Sequence, residues 1–137
     1  VDELGALKAV LAAEQAIVYG YGVAGAHLRG AARSYATKRL LLHTSRRDQV
    51  GELVKAAGGR PAASRAAYQL PFTVDDAATA TQLAAHLELG AAGAYWDLVA
   101  AARARSPGRA LAIGWLSDSA VAANRWGASQ ALPGQPA

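Results

Sequence analysis

LGALKAVLAAEQAIVYGYGVAGAHL, residues 4 to 28, carries Leu4, Leu7, Leu11, Glu14, Val18, Tyr21, Gly25 and Leu28 at alternating steps of three and four. That spacing lays one stripe along a helix that packs in a bundle. Glu14 falls in the middle of the stripe, where an apolar side chain is expected. A carboxylate there is costly unless a donor or a cation meets it, so the rest of the chain has to supply one.

Reading outward, Asp2 is a good N-cap for this first helix, and Gly30 follows its end at Leu28. A second helix is expected from about Ala32 to Ala57, stopped by Gly58-Gly59. Its seam runs through Ala36, Leu40, His43, Arg47, Val50, Val54 and Ala57, with Arg46 beside it. A third starts near Thr73 to Asp76, with the acidic pair in its first turn where the helix dipole favours negative charge, and runs to about Arg105. Its small apolar face is Ala84, Leu87, Ala91, Ala94 and Leu98, with Glu88 alongside. Ser106-Pro107 reads as N-cap and first position of a fourth helix ending near Trp126, before Gly127. That helix offers two faces: Leu111, Trp115, Asp118, Ala122 and Arg125, or Ile113, Leu116, Ala120 and Ala123. The tail, 128–137, contains Pro133, Gly134 and Pro136 and is expected to be irregular, leaving 1–127 as one bundle domain.

The connections are unequal. The first and last are tight, which implies antiparallel hairpins. The middle one, from Gly58 to about Thr73, holds Pro61, Tyr68, Pro71 and Phe72. Roughly 16 extended residues reach ~50 Å, more than the ~35–40 Å of a helix of about 25 residues. The link can therefore cross from one end of a bundle to the other, docking through Tyr68, Leu70 and Phe72. An up-down-up-down bundle is the alternative topology.

Composition agrees with an all-α chain. Of 137 residues about a quarter are alanine, the best helix former, and aromatics make up 7%. There is no cysteine, which excludes disulfides and thiolate metal sites. The formal charge is +4. Between Arg29 and Arg65 nine cations face only Asp48 and Glu52, a local 9 − 2 = +7. No aromatic interleaving or recognised motif accompanies that charge, so solvated or intramolecularly paired arginine is expected rather than nucleic-acid binding. No apolar run is long enough for a membrane span. No leader segment is visible, which makes a cytoplasmic location the default expectation.

Both signs of charge recur at one depth on the first three helices. The expectation is a central polar layer in which Glu14 and Glu88 accept from His43 and from Arg46 or Arg47. Asp118 is a further contributor, and Tyr21 and Tyr95 lie near enough to join. The blander arrangement leaves only Glu14, His43 and Arg47 inside, with Glu88, Arg46 and Asp118 turned to solvent.

Ala13-Glu14-Gln15, Tyr19-Gly20-Tyr21-Gly22, His43 with Arg46-Arg47-Asp48, Tyr68-Gln69-Leu70-Pro71-Phe72, Glu88, Ala94-Tyr95 and Asn124-Arg125-Trp126-Gly127 together resemble the ferritin-like family catalogued as domain of unknown function 4439. The resemblance covers nearly the whole chain. It implies a ferritin-like four-helix bundle of bacterial type and carries no established activity. In the wider superfamily, Glu14 and Glu88 resemble the lone glutamates that ligate metal. A di-iron site also needs a Glu-x-x-His pair on each of the other two helices. None occurs: Leu40, Leu83 and Ala24 stand three residues before His43, His86 and His27. An arginine in the layer keeps its charge at any biological pH and competes with a metal for the same oxygens. No metal and no cofactor are therefore expected.

Other signals are weaker. His27 reads as a surface group in the last turn of its helix, and His86 as exposed. The serines form no nucleophile elbow. Gly20-x-Gly22-x-x-Gly25 matches a dinucleotide-binding pattern by letter but lies inside a helix; its small residues, with Ala26, suit close approach by a neighbouring helix or subunit. The aromatics Tyr19, Tyr21, Tyr95, Trp96, Trp115 and Trp126 read as core or interface. The reading leans to a non-enzymatic bundle that self-associates, as a homodimer through small-residue faces, or binds an unidentified protein. The alternatives are a divergent carboxylate-bridged metal oxidase and a binder of a small acid held by Arg47 and His43.

Overall fold

The computed structural model describes residues 1–128. It contains four helices and, among the described residues, no strand: α1 Glu3–Ala26, α2 Gly30–Ala56, α3 Ala77–Ala101 and α4 Pro107–Arg125. The expected irregular tail lies, but for Ala128, outside the described residues.

Each start and stop has a local cause. The Asp2 carboxylate accepts from the Gly5 amide at 2.8 Å, and the Ser106 hydroxyl accepts from the Arg109 amide with Pro107 opening α4. Asp76 lies before the first turn of α3, where its carboxylate takes the Thr79 amide while Thr79 answers the Asp76 amide, a reciprocal cap. α3 stops at Ala101, short of the expected Arg105, because Ala102 turns extended. α2 begins at Gly30, two residues early, with no side-chain cap on its N-cap Arg29. Its end is a Schellman turn: Gly58, at φ +85°, donates to Lys55 and Gly59 to Val54.

Contacts at the helix ends order the bundle. At one end the Ser106 hydroxyl donates to Glu3, and Gly59 lies so close to Leu4 that a Cβ would come within 2.7 Å of its methyl group. At the other end His27, Leu28 and Ala32 line one groove with Asp75, Asp76 and Ala77, while Trp126 packs against Tyr35 with the rings tilted. The α2–α3 connection covers residues 57–76. It is held by Gln15 donating to the Ala62 carbonyl at 2.7 Å, by Tyr68 packed on Tyr19, by the half-buried Leu70, and by Phe72 edge-on to His86.

The main packing is α1 on α2, α1 on α3 and α3 on α4. Gly20 permits the close approach of α1 to α3, since a Cβ there would meet Leu87 at 2.7 Å. Gly22 and Gly25, expected to share that role, face open space. The apolar core includes Leu7, Val10, Leu83, Leu98, Val50 and Val54, with alanine at the crossings. α2 and α4 meet mainly through long side chains. The polar layer draws on all four helices, joining α1, α2 and α3 at its centre and α2 to α4 at its side.

Candidate functional site: a closed layer of buried charge

Glu14 on α1, His43 on α2 and Glu88 on α3 are all fully buried. His43 lies between the two carboxylates, with Nδ1 2.6 Å from Glu14 and Nε2 2.9 Å from Glu88. A neutral imidazole has one donor and one acceptor nitrogen, which would set a lone pair against a carboxylate oxygen. Both nitrogens must therefore carry protons. Burial alone would lower the His43 pKa; the hydrogen bonds and charges of Glu14 and Glu88 outweigh it and raise it above 6.5.

Glu88 receives four donors. Tyr21 hydroxyl (2.5 Å) and Arg39 Nε (2.7 Å) reach one oxygen; Arg39 Nη2 (3.0 Å) and His43 reach the other. A carboxylate offers about four lone-pair positions, so this one is full. Burial would raise its pKa, but His43 and Arg39 bring it down to about 2. The same burial and the Glu88 charge push the Tyr21 hydroxyl far above its usual range, so it stays a donor. It also accepts from the Trp126 indole at 3.0 Å.

A parallel arrangement surrounds Arg46. Its guanidinium donates to the Tyr95 hydroxyl and the Ser119 hydroxyl, each at 3.1 Å, and to Asp118 at 2.5 Å. It lies over the rings of Tyr95 and Trp115. Tyr95 passes the connection on by donating to Glu14. Burial and the Glu14 charge raise its pKa well beyond the ordinary value. Asp118 bridges the two arginines, taking Arg39 Nη2 at 2.9 Å on the same oxygen that takes Arg46. With His43 protonated, three cations (Arg39, His43, Arg46) face three anions (Glu14, Glu88, Asp118), and the layer is neutral. Among the described residues no buried side-chain nitrogen or oxygen lacks a partner.

The structure thus brings Glu14, His43, Arg46, Glu88, Asp118, Tyr21 and Tyr95 together and excludes Arg47, which corrects the expected seam. Arg47 lies on the outer side of α2, pairs with its neighbour Asp48 at 3.1 Å and is 30% exposed. The side chains that turn inward from α2 are Ala36, Arg39, His43, Arg46, Val50 and Val54. This set steps by three, then four, through His43; the expected one stepped by four, then three, drawn by Leu40. Arg39, Ser119 and Trp126 are members that the sequence pattern did not point to. Arg39 could have been found by its place seven residues before Arg46, two turns along one face. Asp118 is only partly sheltered, 42% exposed.

Bringing Arg39 and Arg46 inward also removes two cations from the basic stretch 29–65, while Arg47 and Lys55 pair with Asp48 and Glu52. Arg29, Arg33, Lys38, Arg60 and Arg65 remain at the surface. His27 and His86 are exposed, as expected.

A di-metal carboxylate site does not fit this donor set. Both His43 nitrogens and all four Glu88 positions are engaged by hydrogen-bond partners, and Arg39 already sets a fixed positive charge against both Glu88 oxygens. Among the described residues no group of three or more His, Cys, Asp or Glu is placed to hold a metal ion.

The fold and the layer define an all-α protein with a saturated ionic core. The chain belongs to the family described as domain of unknown function (DUF4439), whose pattern matches residues 6–137. It is similar to the crystal structure of a conserved hypothetical protein, rv2844, from Mycobacterium tuberculosis, with 35% identity, a TM-score of 0.84, and coverage of 90% of this chain and 93% of the other. No curated protein matches. No helix among the described residues is long and apolar enough to cross a membrane.

Proposed function

We propose that residues 1–127 form a ferritin-like bundle of two antiparallel hairpins joined by a long crossover, serving as a non-enzymatic domain that self-associates or binds a protein partner. Guanidinium and imidazolium take the place that metal ions hold in ferritin-like carboxylate proteins. The observation that carries this reading is Glu88 with four donors. A catalytic carboxylate or imidazole needs a lone pair or proton to offer a substrate, and neither Glu88 nor His43 has one uncommitted. The contacts at the helix ends and the length-spanning 57–76 connection support the hairpin-and-crossover topology. Gly22, Gly25, Gly90 and Gly93, each with open space beside the Cα, supply smooth helix surface for self-association, which sedimentation would detect.

Metal analysis of protein purified from iron- and manganese-supplemented cells tests the central claim. Substoichiometric metal, unchanged in Glu14→Gln, is the expected result. Near-stoichiometric iron or manganese that disappears in Glu14→Gln would overturn it.

A further inference from the structure

At the joint between α3 and α4 lies a groove of ≈ 320 Å³ lined by Trp96, Val99, Ala100, Ala102, Ala104 and Arg109. Trp96 is 47% exposed, and Ile113, one turn beyond Arg109, is 51% exposed. Trp96 and Val99 or Ala100 follow one another at helical spacing on α3, and the floor continues into the α3–α4 connection through Ala102 and Ala104, which flank Arg103 in the chain. Arg103 and Arg105 are exposed and Arg109 half-buried. Residues 98–117 contain these three arginines and no acidic side chain. Among the described residues none of the three has an ion-pair partner, as is also true of Arg29, Arg33, Lys38, Arg60 and Arg65, but only here do such cations adjoin an apolar groove with an exposed tryptophan. The nearest carboxylates are otherwise placed. Glu3 accepts from Ser106, Asp97 lines the separate groove beside Val1 and Ala9, and Asp118 holds Arg39 and Arg46.

We propose that this groove docks an acidic segment of a partner protein, which seats an apolar side chain beside Trp96 and sets carboxylates against Arg103, Arg105 and Arg109. Single exposed apolar residues are common on soluble proteins. Here Trp96 borders an apolar floor that Arg109 also lines, and the adjoining connection carries the exposed Arg103 and Arg105. Tryptophan and arginine are the residue types that most often carry interface energy. Charge complementarity selects the occupant: a positive rim attracts and orients an acidic chain. A nucleic-acid strand would want a track of cations and stacking faces, and this floor is valine and alanine. A lipid surface would favour apolar side chains projecting outward, and Val99 and Ala102 are half-buried. The assignment rests on the partner-binding reading above and names its surface.

The test uses fluorescein-labelled helical peptides with a leucine face flanked by glutamates, titrated into the full chain and followed by anisotropy and by tryptophan emission. Saturable binding that weakens with salt is expected, falling at least about tenfold in Trp96→Ala and at least as far in Arg103→Glu with Arg105→Glu. Both variants change surface residues, and their circular dichroism should match the parent. Peptides with glutamine in place of glutamate should bind about tenfold more weakly or worse. Equal binding by the charge-reversed variant, absence of binding, or binding to phosphatidylglycerol vesicles in place of the peptides would overturn the assignment. Those failures leave the metal measurement untouched, because none of these residues belongs to the buried layer.

Discussion

Arg46 and Arg47 are adjacent in the chain and occupy opposite environments. Arg46 turns inward, is held by Tyr95, Ser119 and Asp118, and lies over two aromatic rings that pack on each other. Arg47 turns outward and meets only the neighbouring Asp48. A step of one residue rotates a helix by about 100°, which separates a cation whose removal disturbs a closed network from one that water can replace. The lesson is that charge on a helix of this kind has no meaning until its rotational phase is known.

The sharpest way to test that contrast is to break the inner layer at its most heavily bonded member. Glu88→Ala would leave Arg39 and protonated His43 without their shared carboxylate. Removing one partner of a buried ion pair costs about 3–5 kcal/mol, a large part of the stability of a domain this size. Urea denaturation should place the variant at or near unfolding. A midpoint close to the parent's would mean that the layer is far wetter than its geometry implies. The cost belongs to breaking the set: replacing every member by well-fitting apolar side chains can be neutral or stabilising.

pH probes the same layer without mutation. The His43 pKa is raised on folding, so the folded state binds the proton more tightly than the unfolded one. Its stabilisation is fully present below about 6.5, the unfolded value, and is lost as pH rises through the folded value. Glu88 behaves oppositely. Its pKa falls to about 2, so its contribution is present above about 4.5 and lost as pH drops through about 2. Stability should therefore peak in the mildly acidic range and decline on the alkaline side, an effect that His43→Gln removes. Every tenfold difference in proton affinity between the folded and unfolded chain corresponds to about 1.4 kcal/mol. A flat stability profile from pH 6 to 9 would contradict the imidazolium assignment.

Arg46→Ala should cost roughly 2 kcal/mol, less than Glu88→Ala because Asp118 keeps Arg39 at 2.9 Å and, being 42% exposed, can rehydrate. Tyr95→Phe, which removes a donor to Glu14 and an acceptor for Arg46, should cost about 1–3 kcal/mol. Chemical denaturation in one buffer, measured side by side, ranks them.

The helices and their order are legible in the sequence because caps, glycine stops and a long proline-containing connection are local signals. Glu14 and Glu88 are legible as buried acids because each interrupts or borders an apolar stripe. The pattern of α2 suggests the wrong phase. Two alternations share Ala36, His43 and Val50 and differ only at 39 against 40 and 46 against 47. Apolar character at Leu40 favours one, but in this bundle the carboxylates of α1 and α3 need cations, and Arg39 with Arg46 supplies them. Leu40 is content half-buried beside the core. Hydrophobic periodicity measures the wish of each side chain to leave water and takes no account of a partner two helices away. Ser119 is silent for the same reason, being selected by Arg46 alone.

That leaves the smallest effect as the most discriminating one. Arg47→Ala removes a half-buried guanidinium whose one ion pair is to an adjacent, largely exposed aspartate. Such pairs contribute about 0–1 kcal/mol, and alanine favours the helix slightly more than arginine does, so the net change should lie within about 0.5 kcal/mol. Arg47→Glu, which sets like charges side by side with Asp48, should stay within about 1 kcal/mol. If either variant instead destabilised the domain as much as Arg46→Ala, α2 would have to present Arg47 to the core in solution. The phase that places Arg39, His43 and Arg46 on one inner line would then be the wrong one.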